Sequence, residues 1–195
     1  MLYSILHRLG RLMFWLLGLK VEGLAQLPSS GPVIIAANHV SNWDPLVVAI
    51  AIDRPVHFMG KAALFKYKIL GQFFTKLNAF PVRKDIPDRK AIRHALQVLA
   101  AGEVLGIFPE GRRNIKGEVL AEPGVIMIAL KSGAPIIPVA CRGTGRQIPW
   151  GWSDTLMVRL GEPYYLHETP GQKLRTADME KLSLELIDKI NHLLD

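Results

Sequence analysis

Cysteine is nearly missing from this 195-residue chain, with Cys141 the single example. That excludes an internal disulfide framework and a cysteine-rich zinc site, and it points to a reducing, cytoplasmic setting. Long uncharged apolar runs are missing as well. A membrane-spanning helix needs about 18 or more such residues. The best stretch, MLYSILHRLGRLMFWLLGL, is broken by Arg8 and Arg11, which leaves only Leu12–Leu19 uncharged. It has no small-residue cleavage site, which argues against a secretory signal. No acid precedes Glu22, and no internal repeat or low-complexity segment occurs anywhere.

What is present is apolar and basic. Hydrophobic residues form 49% of the chain, too many for a disordered polymer and enough for one domain with a real core. Lys and Arg number 24 against 17 Asp and Glu, a net charge of +7. Such a surplus selects an acidic partner: nucleic acid, anionic lipid or a phosphorylated substrate. The charge is uneven. Between Arg54 and Arg93 ten basic residues face two acids, whereas from Glu162 onward four basic residues face seven acids. The partner surface is therefore expected in the middle third. Trp43, Trp150 and Trp152 lie outside that segment and no helix-turn-helix pattern is visible, so nucleic acid is not the expected partner.

The amino terminus has helical spacing. Leu2, Ile5, Leu6, Leu9, Leu12, Met13 and Leu16 share one face, while Arg8, Arg11 and Trp15 fall on the opposite face and its edge. Such a helix suits the plane of a membrane interface, with arginines at the phosphates. The competing reading packs it on the protein core or on a second copy.

The remainder alternates strands and helices. Strands are predicted at 32–37, Pro55–Met59, Asn78–Arg83, Val104–Phe108, Pro135–Val139 and Thr155–Leu160. Helices are predicted from Asp44 to Ile52, with Asp44 as cap and Pro45 at the first position. Others run over Lys61–Leu77 with a break near Gly71, Pro87–Ala101, Pro123 to Gly133, and Thr176–Leu194. Strands separated by helices argue an α/β fold, a mostly parallel or mixed sheet covered by helices. Sites in such sheets form where strand ends meet loops.

Two loops carry chemistry. After the first strand comes Asn38-His39-Val40-Ser41-Asn42-Trp43-Asp44. An imidazole titrates near working pH and suits a general base, and a carboxylate on its far nitrogen fixes the tautomer. On a continuous helix His39 and Asp44 would point apart. They meet only if His39 precedes the helix and Asp44 opens it. Without that turn, Asp44 is a simple cap and His39 a loop histidine. The second loop is Phe108-Pro109-Glu110-Gly111-Arg112-Arg113. Its glycine admits close backbone approach, and its arginines suit a phosphate. Glu110 either orders those arginines or accepts from a hydroxyl. Arg83 and Lys61 add cations at two further strand ends.

Together these segments resemble the 1-acylglycerol-3-phosphate acyltransferase family of phospholipid synthesis. That family carries Asn-His-x-Ser-x-x-Asp, Phe-x-x-Arg, Phe-Pro-Glu-Gly-Thr-Arg and Ile-Pro-Val blocks in this order. Here they stand as Asn38–Asp44, Phe80–Arg83, Phe108–Arg113 and Ile137-Pro138-Val139, within about 21–143. Arg112 replaces the usual threonine, and Leu77 stands where a glycine usually leads the second block. The amphipathic spacing gives a membrane-interface helix over residues 1–20, and the resemblance implies an acyltransferase domain over 21–195. It implies transfer of a fatty acyl group from a thioester to the 2-hydroxyl of lysophosphatidate, giving phosphatidate. His39 would act as base and Asp44 would orient it. Lys61, Arg83, Glu110, Gly111 and Arg113 would hold the glycerol phosphate. No metal or cofactor is expected. The expected partners are lysophosphatidate, an acyl carrier protein thioester or acyl-coenzyme A, and an anionic membrane surface on the cytoplasmic face. Another acceptor, such as glycerol-3-phosphate or a different lysolipid, remains open at this point, as does a non-catalytic membrane-binding protein.

Overall fold

A computed structural model describes residues 2–83, 88–114, 121–145, 156–166 and 175–195, with side chains from Leu6 onward. Among these residues seven strands form one sheet: β1 (Lys20–Glu22), β2 (Val33–Ala37), β3 (Val56–Lys61), β4 (Phe80–Val82), β5 (Val104–Ile107), β6 (Ile136–Arg142) and β7 (Met157–Leu160). The α-helices among them are α1 (Leu2–Leu16), α2 (Asp44–Ala51), α3 (Lys68–Lys76), α4 (Arg89–Ala100), α5 (Gly124–Ser132) and α6 (Thr176–His192). The strand order is β1-β7-β6-β2-β5-β3-β4. Strands β2 to β6 all run parallel, and β7 turns back against β6 with β1 parallel to it. The mixed sheet expected from the sequence is therefore present.

Strand β2 is buried at every position, so its run of Val33, Ile34, Ile35, Ala36 and Ala37 is apolar on both faces. Its alternate side chains join two cores. Val33, Ile35 and Ala37 pack with Phe58, Val104 and Ile137 beneath α1 and α2. Ile34 and Ala36 pack with Leu105, Ile107 and Ile136 beneath α4, α5 and α6.

Most expected elements are present, with informative shifts. The helical segment expected over Lys61–Leu77 is a 3₁₀ helix at Ala62–Lys66 followed by α3. The break falls at Tyr67, which is extended, and not at Gly71. Gly71 instead lets the Phe65 backbone approach, where an added Cβ would sit 2.8 Å from its carbonyl oxygen. Strand β1 was not expected. Three residues with one half-buried side chain carry little periodic signal, and β1 exists through pairing with β7. Pro87 and Thr155, the expected first residues of a helix and a strand, lie outside the described residues.

Helix α1 is joined to the domain. Phe14 is fully buried in the first core, and burying a side chain of that size stabilises by roughly 1.5–3 kcal/mol. The His7 Nε2 donates to the carbonyls of Ala49 at 3.1 Å and Ile52 at 2.9 Å. Arg11 pairs with Asp53. The face that does this packing is His7, Gly10 and Phe14. The apolar stripe read from the sequence points the other way, with Leu9, Leu12, Met13 and Leu16 all exposed. No described helix is long and apolar enough to cross a membrane.

Candidate active site

Parallel strands end together, so β2, β3, β4, β5 and β6 deliver their following residues to one edge. Those residues are Asn38 and His39, Lys61 at the end of β3, Arg83, Phe108 to Arg113, and Thr144. Both sequence-predicted loops and both extra cations therefore share the carboxyl edge of the sheet.

His39 precedes α2 and Asp44 opens it, and the chain between them turns. His39 Nδ1 lies 2.9 Å from Asp44 Oδ2. The same oxygen accepts the Val40 and Ser41 backbone N–H groups, each at 2.7 Å. The other, Oδ1, accepts the Thr144 hydroxyl. Asp44 is wholly buried and accepts from four donors, three on Oδ2 and one on Oδ1. A carboxylate so placed is an acceptor, so Nδ1 carries the proton and Nε2 is left as the basic nitrogen. Asp44 was expected to cap its own helix. It does not: Trp43 holds the cap position without a side-chain bond, and the carboxylate folds back over the loop.

The imidazole is only 17% exposed and stacks on Phe108, ring centroids 4.2 Å apart and planes at 24°. Phe108 in turn stacks on Phe58 at 5.7 Å. Gly106 makes room for this pile, because a Cβ there would come within 2.3 Å of the Phe58 ring. The phenylalanine of the second motif thus serves as a plate under the first motif's histidine.

Asn38 ties the loop to the sheet. Its amide Nδ2 donates to the Cys141 carbonyl at 2.9 Å, and its Oδ1 accepts the Cys141 N–H at 2.7 Å. Cys141 is buried, and burial pushes its thiol far above the usual range, so it is no nucleophile.

Glu110 was expected to face substrate. Its carboxylate is buried: Oε2 accepts the His39 N–H at 2.9 Å, and Oε1 accepts from Asn114 at 3.4 Å. Burial raises its pKa, and those donors oppose the rise. Asn114 N–H also donates to the His39 carbonyl at 2.6 Å. The second loop therefore clamps the backbone of the first. Gly111 sits at φ 67°, the left-handed turn that glycine favours.

The cations are arranged differently. Lys61, Arg112 and Arg113 are exposed. Arg83 is half exposed, with its Nε 3.3 Å from Asp88 and its backbone N–H 3.0 Å from the same oxygen. That N–H leads the groups that hold the Asp88 carboxyl below its ordinary value. Asp88 also caps α4 through the Lys90 and Ala91 N–H groups. Arg54 leaves the basic surface altogether. Its guanidinium donates to the carbonyls of Pro28, Gly31 and Gly102, at 2.7–2.9 Å.

Sequence reasoning missed Thr144 and the plate formed by Phe108. Thr144 lies 100 residues from Asp44, and nothing local marks it. Phe108 was in view as part of a motif, and its apolar character at a polar loop was the available signal.

Residues 18–142 match the sequence profile of a family described as Acyltransferase. The chain is 31% identical over 184 residues to the 1-acyl-sn-glycerol-3-phosphate acyltransferase of Bacillus subtilis, covering 91% of this chain and 90% of that one. It is 29% identical over 183 residues to the enzyme of the same name from Borreliella burgdorferi, covering 91% and 72%. It superposes on the crystal structure of the 1-acyl-sn-glycerophosphate (LPA) acyltransferase PlsC from Thermotoga maritima with a TM-score of 0.71. That match is 26% identical and spans 98% of this chain and 79% of that one.

Proposed function

This chain belongs to the acyltransferase family, and from that premise we propose how its residues move an acyl group onto lysophosphatidate to give phosphatidate. The observation that carries the proposal is the buried Asp44 carboxylate on His39 Nδ1, with Nε2 left basic at the carboxyl edge. His39 Nε2 takes the proton of the free 2-hydroxyl as that oxygen attacks the thioester carbonyl. Asp44 holds the tautomer and stabilises the imidazolium that forms. The tetrahedral intermediate collapses, the carbon–sulfur bond breaks, and the imidazolium returns its proton to the departing thiolate. No acyl-enzyme is formed, so no serine or cysteine nucleophile takes part. The thioester belongs to an acyl carrier protein or to coenzyme A.

Lys61, Arg83 and Arg113 bind the acceptor phosphate, and Gly111 lets the loop come close to it. Their support is chemical: cations at one sheet edge, with exposed heads. Glu110 serves the same loop by holding the His39 backbone in place. The acceptor is a bilayer lipid, and the exposed stripe of Leu9, Leu12, Met13 and Leu16 on α1 lies in the membrane interface. This reading seats the protein peripherally on the cytoplasmic face.

Acyl transfer to lysophosphatidate in detergent micelles tests the proposal, with each thioester donor and with His39→Ala. Turnover by wild type and loss of it in the folded variant are expected. A variant with near-normal turnover removes His39 from the role of base.

A further inference from the structure

A second apolar surface lies away from α1. Leu64, Tyr67, Ile69, Leu70 and Phe73 are all exposed, Ile69 by 84% and Tyr67 by 67%. On α3 the inner side is formed by buried Gly71 and half-buried Phe74. Ile69, Phe73 and Lys76, spaced by four and three, stand on the opposite side. Lys66, Lys68 and Lys76 flank these apolar groups and are exposed. No Asp or Glu occurs between Asp53 and Asp85, so no carboxylate of this segment answers the lysines.

The segment also shares a side of the sheet with α1. Gly60 alternates in register with Val56 and Phe58, whose side chains join the core beneath α1 and α2. A Cβ on Gly60 would meet the Phe65 ring at 3.0 Å, so the 3₁₀ helix lies over that same side. It departs from β3 at Lys61, on the carboxyl edge that carries His39.

We infer that the 3₁₀ helix and α3 form a second membrane contact, in which the apolar side chains enter an anionic leaflet and the lysines meet its phosphates. Large apolar residues on the outer side of a short amphipathic helix, flanked by lysines, match the composition that lies in the interface plane. With α1 this gives two separated contacts on one side of the sheet. One contact leaves a protein free to pivot on the bilayer, and two set how the carboxyl edge faces it. The inference rests on the reading that the acceptor is a bilayer lipid.

The test is sedimentation of the full chain with phosphatidylcholine vesicles, with and without phosphatidylglycerol. Ile69→Glu with Phe73→Glu is compared with Leu12→Glu with Leu16→Glu and with Lys68→Glu with Lys76→Glu. Turnover of a water-soluble, short-chain lysophosphatidate is followed in parallel. The α3 pair should lose about ten-fold or more in affinity for anionic vesicles and keep its short-chain turnover. The lysine pair should lose the preference for phosphatidylglycerol. Ile69→Ser, the mildest change, should lower affinity with an unchanged melting midpoint. Wild-type affinity in the α3 variants overturns the inference, whatever the α1 variants do. If wild type binds no vesicle yet turns over the short-chain acceptor, both membrane contacts fall and the acyl transfer stands. Unchanged vesicle affinity with loss of turnover only for a carrier-protein thioester overturns it too, and makes the surface a protein-docking site.

Discussion

Asp44 accepts four hydrogen bonds out of reach of water, while Lys61 and Arg113, on the same sheet edge, stand exposed. The side of the site around His39, proposed to transfer the proton, is fully bonded without a ligand. His39 is pinned by Asp44, stacked on Phe108, and held through its backbone by Glu110 and Asn114. On the cationic side Arg83 is anchored on Asp88, and Lys61 and Arg113 are exposed. On the proposed roles, the difference follows from what each group must do. A general base gains from fixed geometry, because misplacement by a fraction of an ångström costs rate. A phosphate grip on a lipid headgroup needs charge and reach.

The comparison predicts that changes in the first group act on turnover and changes in the second on acceptor affinity. The largest effect belongs to Asp44→Asn, which should lower kcat by about 10²- to 10⁴-fold with little change in either KM. A comparable rise in the KM for lysophosphatidate would erase the division. Next is Asn38→Ala, which removes both bonds to Cys141 and leaves its buried backbone groups unpaired. A loss of about 2–4 kcal/mol in urea unfolding is expected. Wild-type stability would mean that the loop needs no tie to β6.

Arg83→Ala should raise the KM for lysophosphatidate about ten-fold and leave the KM for the thioester alone. Equal changes in both would move Arg83 out of the acceptor site. The smallest effect concerns Asp88, whose carboxyl is held below its ordinary 3.8. A depressed pKa adds stability above the unfolded value and loses it as pH falls through the folded value. Unfolding midpoints of wild type should therefore fall more steeply in that acid range than those of Asp88→Asn. Parallel curves would show that Arg83 and the α4 cap do not depend on that charge.

Much of this was legible in the sequence because the informative residues were local. β2 is a continuous apolar run, Asp44-Pro45 opens a helix, and Gly133 closes one in the left-handed conformation. The turn that joins His39 to Asp44 follows from a helix that starts at Asp44 and leaves His39 in the loop before it. What was not legible depended on distant chain. Asp44 reads as a helix cap until Thr144 and the loop amides compete for its oxygens. The bond from the His39 N–H to Glu110 joins residues 71 apart, and no local pattern announces it. The outward direction of the α1 stripe was also hidden. Helical spacing identifies a stripe, and the packing of His7 and Phe14 on α2 decides which way it faces.

Asn38 and Asp44 find their partners 103 and 100 residues further along, on β6 and just beyond it. β2 itself lies between β5 and β6, both later in the chain. A growing polypeptide therefore releases α1 well before β6 and Thr144 can tie the loop between Asn38 and Asp44 to the sheet. At a synthesis rate of about 5–20 residues per second, the stretch from Leu16 to Cys141 takes roughly 6–25 seconds. The nascent protein carries the exposed α1 stripe first and completes the bonds around Asp44 last. Attachment to a surface can precede competence, and a chain cut short before β6 would keep the first and never gain the second.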